Sequence, residues 1–161
     1  MMKFWNSFFV KMLQPKQSAE AILDKNEIMF KTSRELPPKE IYDRAVELFG
    51  IDFEKGTTFT VGDTIYSKEE ISPDLLEHEK VHIKQQQSGW KEWWEKYFTD
   101  PEFRTSQELE AYQEQYRWVL KNIKDRNQRA RYLMFFSQSL SGKMYGNILS
   151  LKDALFFIKR A

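Results

Sequence analysis

The chain has only two histidines, His78 and His82, set in the run His78-Glu79-Lys80-Val81-His82. On an α-helix, residues four apart differ by about 40° around the axis and by about 6 Å along it. Both imidazoles can then reach one metal ion at Zn–N distances of about 2.0–2.1 Å. Glu79 falls on the neighbouring side of the same face, where its carboxylate can reach a water on that ion without ligating it. The chemistry open to such a group is metal-assisted hydrolysis. Water acidified by the ion gives its proton to the carboxylate while attacking a carbonyl, and the resulting acid protonates the leaving amine.

Zinc sites that hydrolyse use three protein ligands and leave the fourth position open. The chain has no cysteine and no third histidine, so a carboxylate must complete the set. The run Thr105-Ser106-Gln107-Glu108-Leu109-Glu110-Ala111-Tyr112 offers Glu108 and Glu110. Ala111, three residues after Glu108, leaves room beside a ligand there. Thr105 and Glu108 also fit a capping box, which would bend Glu108 back to a helix start. A helix beginning at Pro101 removes that alternative.

The pentad needs a helix to present it. Ser72-Pro73 marks the start, with Ser as N-cap, Pro in the first turn and Asp74 beside the positive helix end. The helix is expected to run to about Gln87 and stop at Ser88-Gly89. Leu75, Leu76 and Ile83 share its ligand face, so the imidazoles should look inward. Upstream, Phe59 and Val61, then Ile65, flank Gly62-Asp63, a two-residue hairpin signal within 57–67. Glu27–Thr32 reads as a short strand, and Ile41, Ala45, Val46, Leu48 and Phe49 as a helix stopping at Gly50.

Downstream, Trp90–Phe98 is an aromatic helical segment read as core. Asp100-Pro101 opens a long helix through Leu109, Tyr112, Tyr116, Val119 or Leu120, and Ile123. Residues 132–149 read as a helix and then a turn around Gly142 and Gly146. Ser150 with Asp153 caps a last helix, striped by Leu151, Leu155 and Ile158, with Lys159 and Arg160 at its negative end. The sum is an α+β fold, mainly helical, with a small sheet packed on the pentad helix.

The 161 residues fit one domain, 1–161, with helical extensions at 1–15 and 132–161. No cysteine means no disulfide framework, no thiolate zinc site and no cysteine nucleophile; it suits a reducing, cytoplasmic setting. A net charge of +1 removes the simplest argument for nucleic-acid binding. The basic stretch 117–131 is read as a solvated helix face, and no Gly-rich phosphate loop occurs. Phe4, Trp5, Phe8, Phe9, Met12 and Leu13 form one apolar face at helical spacing, broken by Lys3 and Lys11. That segment is too short to span a membrane. It is expected to pack on the domain or to serve self-association through the aromatic termini, with a helix lying on a membrane surface as the alternative.

HExxH followed by Glu108-Leu109-Glu110-Ala111, an ExxA setting on the next long helix, resembles the gluzincin branch of zinc metallopeptidases. In size it is similar to the minigluzincins and to zincin-like domains of microbial and phage genomes. The resemblance covers roughly Thr57 to Tyr116. It implies a zincin fold, a Zn2+ cofactor and a peptide or protein substrate. It implies His78, His82 and Glu108 as ligands and Glu79 as general base. It also implies Thr64, Ile65, Tyr66 and Ser67 as a sheet-edge strand along which an extended peptide adds. Two features depart from the family. Tyr112 and Gln113 stand where such enzymes carry an Asp that orients a histidine, and no motif marks the oxyanion donor. Tyr145 offers a phenol of suitable chemistry. The alternative is a zincin-shaped binding or assembly protein, of phage or mobile-element type, with little turnover. A latent enzyme with one end in its cleft is related to it.

Overall fold

The structure is a computed structural model that describes residues 28–160. The expected N-terminal helix, 1–15, lies outside the described residues. In chain order come β1 (Lys31–Ser33), α1 (Lys39–Phe49), a 3-10 turn (Phe53–Lys55), β2 (Phe59–Val61) and β3 (Thr64–Tyr66). Then follow α2 (Pro73–Gln85), α3 (Trp90–Thr99), α4 (Pro101–Asn122), α5 (Arg126–Leu140), a 3-10 turn (Lys143–Tyr145) and α6 (Leu151–Ile158). The fold is α+β and mainly helical, as the hydrophobic periodicity predicts. None of the described helices is long and apolar enough to cross a membrane.

The hairpin forms where the Gly-Asp pair predicts it. Val61 pairs with Thr64 across the two-residue loop, and Gly62 takes φ 62°, which a side chain would resist. The strand order is β1-β3-β2, with β1 parallel and β2 antiparallel to β3. This corrects the edge-strand expectation for Thr64, Ile65, Tyr66 and Ser67. β1 returns alongside β3, and the Ser67 N–H donates to Ser33 O at 2.9 Å. A strand bonded on both sides has no free edge for a peptide.

The outer edge of β2 is also occupied. Thr60 O accepts Gln86 Nε2 at 2.9 Å and Trp94 Nε1 at 3.2 Å, while the Gly62 N–H donates to Gln86 Oε1 at 2.9 Å.

Two apolar clusters flank the middle of the molecule. One joins Ile41 and Ala45 of α1, Phe53, Phe59 and Val61, and the α3 face Trp93, Trp94, Tyr97 and Phe98. The other joins Tyr116, Val119 and Ile123 with Tyr132, Phe136 and Leu140 of α5, Tyr145, and Ala154 and Ile158 of α6. The segment 132–160 holds the rest of α5, a 3-10 turn and α6, and it shares a core with α4.

α2 and α4 pack antiparallel: Asp74 meets Gln115 at one end, and Gln85 meets Gln107 at the other. α4 starts at Pro101, and Asp100 Oδ1 caps it by accepting the Phe103 N–H at 3.0 Å. Glu108 consequently lies two turns into a helix, and the capping-box alternative fails. α2 ends at Gln85, two residues short of expectation, and Ser72 occupies its N-cap position without a side-chain capping bond.

Candidate metal centre

The four-residue spacing on α2 does what helical geometry requires: His78 Nε2 and His82 Nε2 lie 3.1 Å apart. α4 brings Glu108 to the same point, Oε2 at 3.4 Å from His78 Nε2 and Oε1 at 3.4 Å from His82 Nε2. The ligand atoms of these three buried residues all fall within 4.8 Å of one another, and the group could hold a metal ion. Glu110, the other sequence candidate, turns away and accepts Gln85 Nε2 at 2.9 Å.

Two glutamines set the direction of the nitrogen lone pairs. Gln115 Nε2 donates to Asp74 Oδ2 at 2.8 Å, which turns its oxygen to His78 Nδ1 at 3.1 Å. Gln85 Nε2 donates to Glu110 Oε2 and to Gln107 O, which turns its oxygen to His82 Nδ1 at 2.9 Å. An amide oxygen only accepts, so each Nδ1 carries its proton and each Nε2 points a lone pair at the other and at Glu108. Two lone pairs and a carboxylate at such separations repel unless a cation joins them. A proton on one Nε2 or a metal ion meets that need. Imidazole and carboxylate are the donor types that zinc accepts, so the residues fit the ion that the resemblance implies.

In the ion-free protein the closeness of these groups favours the first of those two solutions, a proton. Burial alone would raise the Glu108 pKa, yet His82, His78 and the Tyr97 hydroxyl hold it down at about 2. Burial lowers the His78 pKa, but the hydrogen bond to Glu108 and the neighbouring carboxylates outweigh it, and the value is raised. The buried residues also include Asp74, Glu79 and one cation, Arg104. With neutral histidines, the buried side chains carry a formal −2 among the described residues, the charge that a divalent ion cancels.

Glu108 also joins the two clusters. Tyr97, from the first, donates its hydroxyl to Oε1 at 2.7 Å; Tyr145, from the second, donates to Oε2 at 3.2 Å. Burial and the Glu108 charge push both phenols well above their ordinary pKa, so they stay protonated donors. Tyr145 is held by its own carbonyl, which accepts Thr105 Oγ1 at 2.9 Å. The structure thus brings the sequence-selected phenol to the centre, though its nearest partner is the carboxylate ligand candidate. Aromatic rings wall the imidazoles: Tyr112 lies 4.7 Å from His78 and Trp93 5.6 Å from His82, centroid to centroid.

Glu79 does not join the three-residue group. Its Oε2 accepts Thr60 Oγ1 from β2 at 2.7 Å. All four residues are closed off: 6% exposed for His78 and His82, 5% for Glu79 and 4% for Glu108.

Sequence reading missed Gln85, Gln115, Tyr97 and Thr60, and gave Asp74 only a helix-end role. Spacing could have found three of them. Gln85 follows His82 by one turn, Asp74 precedes His78 by one turn, and Gln115 follows Glu108 by two. Tyr97 and Thr60 come from other elements and carry no local signal. No protein-family model, curated protein or solved structure matches the chain.

Proposed function

We propose that the chain is a zinc-dependent hydrolase of peptide bonds, zincin-like in its helix-borne site, with Glu79 as general base. The observation that carries this reading is the convergence of His78, His82 and Glu108 on one point with both Nε2 lone pairs facing it, beside a buried carboxylate left outside the group. Zinc held there supplies Lewis acidity toward water and toward a scissile carbonyl. Glu79, aligned by Thr60, takes the proton of the attacking water and returns it to the leaving amine. Tyr145, kept protonated by burial, can serve a developing oxyanion by turning its hydroxyl away from Glu108 Oε2. Gln85 and Gln115 hold the two rings, and the Tyr97 hydroxyl holds Glu108. A reducing, cytoplasmic setting suits a chain without cysteine.

The test is mass-spectrometric detection of peptide-library cleavage by the zinc-loaded chain. Wild type is expected to cleave, and Glu79→Gln to keep its zinc without cleaving. Cleavage by Glu79→Gln would overturn the mechanism.

A second reading is a zincin-shaped binding or assembly protein with little turnover. Burial of all four residues favours it, as do the Gln86 and Trp94 bonds that fill the β2 edge. Stoichiometric zinc with no cleavage of any library would support that reading over the first.

A further inference from the structure

We infer that the lobe built from the end of α4, α5 and α6 docks on an anionic lipid surface. Residues 117–160 carry ten Lys and Arg against two Asp, while residues 28–116 carry eleven against nineteen Asp and Glu. The net charge of +1 hides a basic lobe joined to an acidic body. The two acids of the lobe are engaged at helix starts: Asp125 Oδ1 accepts the Gln128 N–H, and Asp153 Oδ2 accepts Ser150 Oγ. Of the ten cations, Arg117 alone has an acidic partner at ion-pair distance among the described residues. The lobe therefore presents its positive charge to whatever approaches it.

The same lobe exposes apolar side chains. α6 buries Ala154 and Ile158 fully, yet Leu151, Phe156 and Phe157 stay in solvent, with Phe156 50% exposed. By helical position, Phe156 stands opposite the buried pair and is flanked by Lys152, Lys159 and Arg160, all exposed. On α5, Met134 and Phe135 are exposed as well. A short helix with Phe and Leu set among Lys and Arg matches the composition of interfacial segments. Their rings enter the acyl boundary while the cations meet headgroup phosphates and carboxylates.

Two other occupants fit less well. Single-stranded nucleic acid needs free ring faces, and the Arg160 guanidinium already covers Phe156 at 4.0 Å while Phe157 meets it edge-on. A second copy offering its acidic body would make a head-to-tail contact, which ends in a closed assembly only where the rotation between copies forms a ring.

The test is co-sedimentation of the full zinc-treated chain with vesicles of phosphatidylcholine, alone or with roughly one-third phosphatidylserine. Binding is expected to be at least about tenfold tighter to the anionic vesicles and to weaken in high salt. Lys152→Glu/Lys159→Glu/Arg160→Glu and Phe156→Ser/Phe157→Ser should each lose about tenfold or more, with thermal midpoint and zinc content unchanged. All five residues are exposed, so both variants are expected to fold. Equal binding to neutral vesicles overturns the inference, and so does full binding by both variants. With a single-stranded oligonucleotide and lipid-free sedimentation as parallel arms, variants that lose only oligonucleotide binding or only a concentration-dependent rise in mass, with vesicle binding intact, also overturn it. None of these outcomes depends on peptide hydrolysis.

Discussion

Gln115 faces His78 through its amide oxygen, 3.1 Å from Nδ1, because Asp74 holds the amide nitrogen at 2.8 Å. The relation runs across the α2–α4 contact, so the packing that folds the protein also sets the ring tautomer. Partners one shell out from metal-ligating imidazoles typically change metal affinity about 10–100-fold when removed. Gln115→Leu is accordingly expected to weaken zinc binding by about that factor, measured by competition with a chromophoric chelator. Asp74→Ala, which frees the amide to flip, should weaken it less. Unchanged affinity in both would mean that packing alone holds His78.

Tyr97 and Tyr145 make the same kind of bond to Glu108 but from different clusters, and they should separate on mutation. Hydrogen bonds to a charged group contribute about 1.5–3 kcal/mol. Tyr97→Phe is expected to cost stability of about that size and to loosen zinc. Tyr145→Phe, whose bond is longer at 3.2 Å, should cost less stability. If the phenol serves the oxyanion, Tyr145→Phe should lower kcat more than it alters zinc affinity. Equal loss of zinc from both variants would leave Tyr145 a purely structural donor.

The pH dependence follows from the two shifted groups, in the ion-free protein first. Glu108 has its pKa lowered from 4.5 to about 2, so its contribution is full above 4.5 and is lost as pH falls toward 2. His78 has its pKa raised above 6.5, so its contribution is full below 6.5 and is lost as pH rises through the raised value. Ion-free protein should be most stable between those limits. If zinc takes the place of that proton, its stabilisation should grow with pH. The thermal midpoint with zinc, minus that with chelator, is predicted to increase from pH 6 to pH 8. A constant difference would separate the ion from these ligands.

The second cluster predicts the outcome of trimming the C-terminal end. Phe136 is 1% exposed, and α5 and α6 cover Tyr116 and Val119. Phe136→Ala should cost about 3–5 kcal/mol. Removing residues 126–161 should give an unfolded or aggregating chain, read by circular dichroism, rather than an unmasked enzyme. A well-folded, more active truncation would mean that α5 and α6 are an inhibitory cover.

Much of this architecture could be read in advance, for local reasons. Gly62-Asp63, Gly50 and Asp100-Pro101 are turn and cap signals whose physics acts over a few residues, and each falls where it was expected. The His78–His82 pair was legible because helical spacing alone aims it. Glu108 was legible only as one of two acids, since choosing between Glu108 and Glu110 depends on how α4 is rotated against α2. The place of β3 was not legible. Which strand takes the sheet edge depends on β1 returning parallel beside it, a long-range pairing with no sequence signature. Tyr97 and Thr60 reach the centre from α3 and β2 by tertiary packing alone. Gln115, one turn after Tyr112 on α4, is the side chain that faces His78 Nδ1, and only the packing of α4 on α2 reveals it.

The most direct measurement is the metal content of the purified full chain by elemental analysis, wild type beside His78→Ala/His82→Ala and Glu108→Ala. The account predicts close to one zinc per chain in wild type, a loss in both variants and nitrogen–oxygen coordination by X-ray absorption. Zinc retained at wild-type level by both variants, or wild type that takes up no divalent ion, would contradict it.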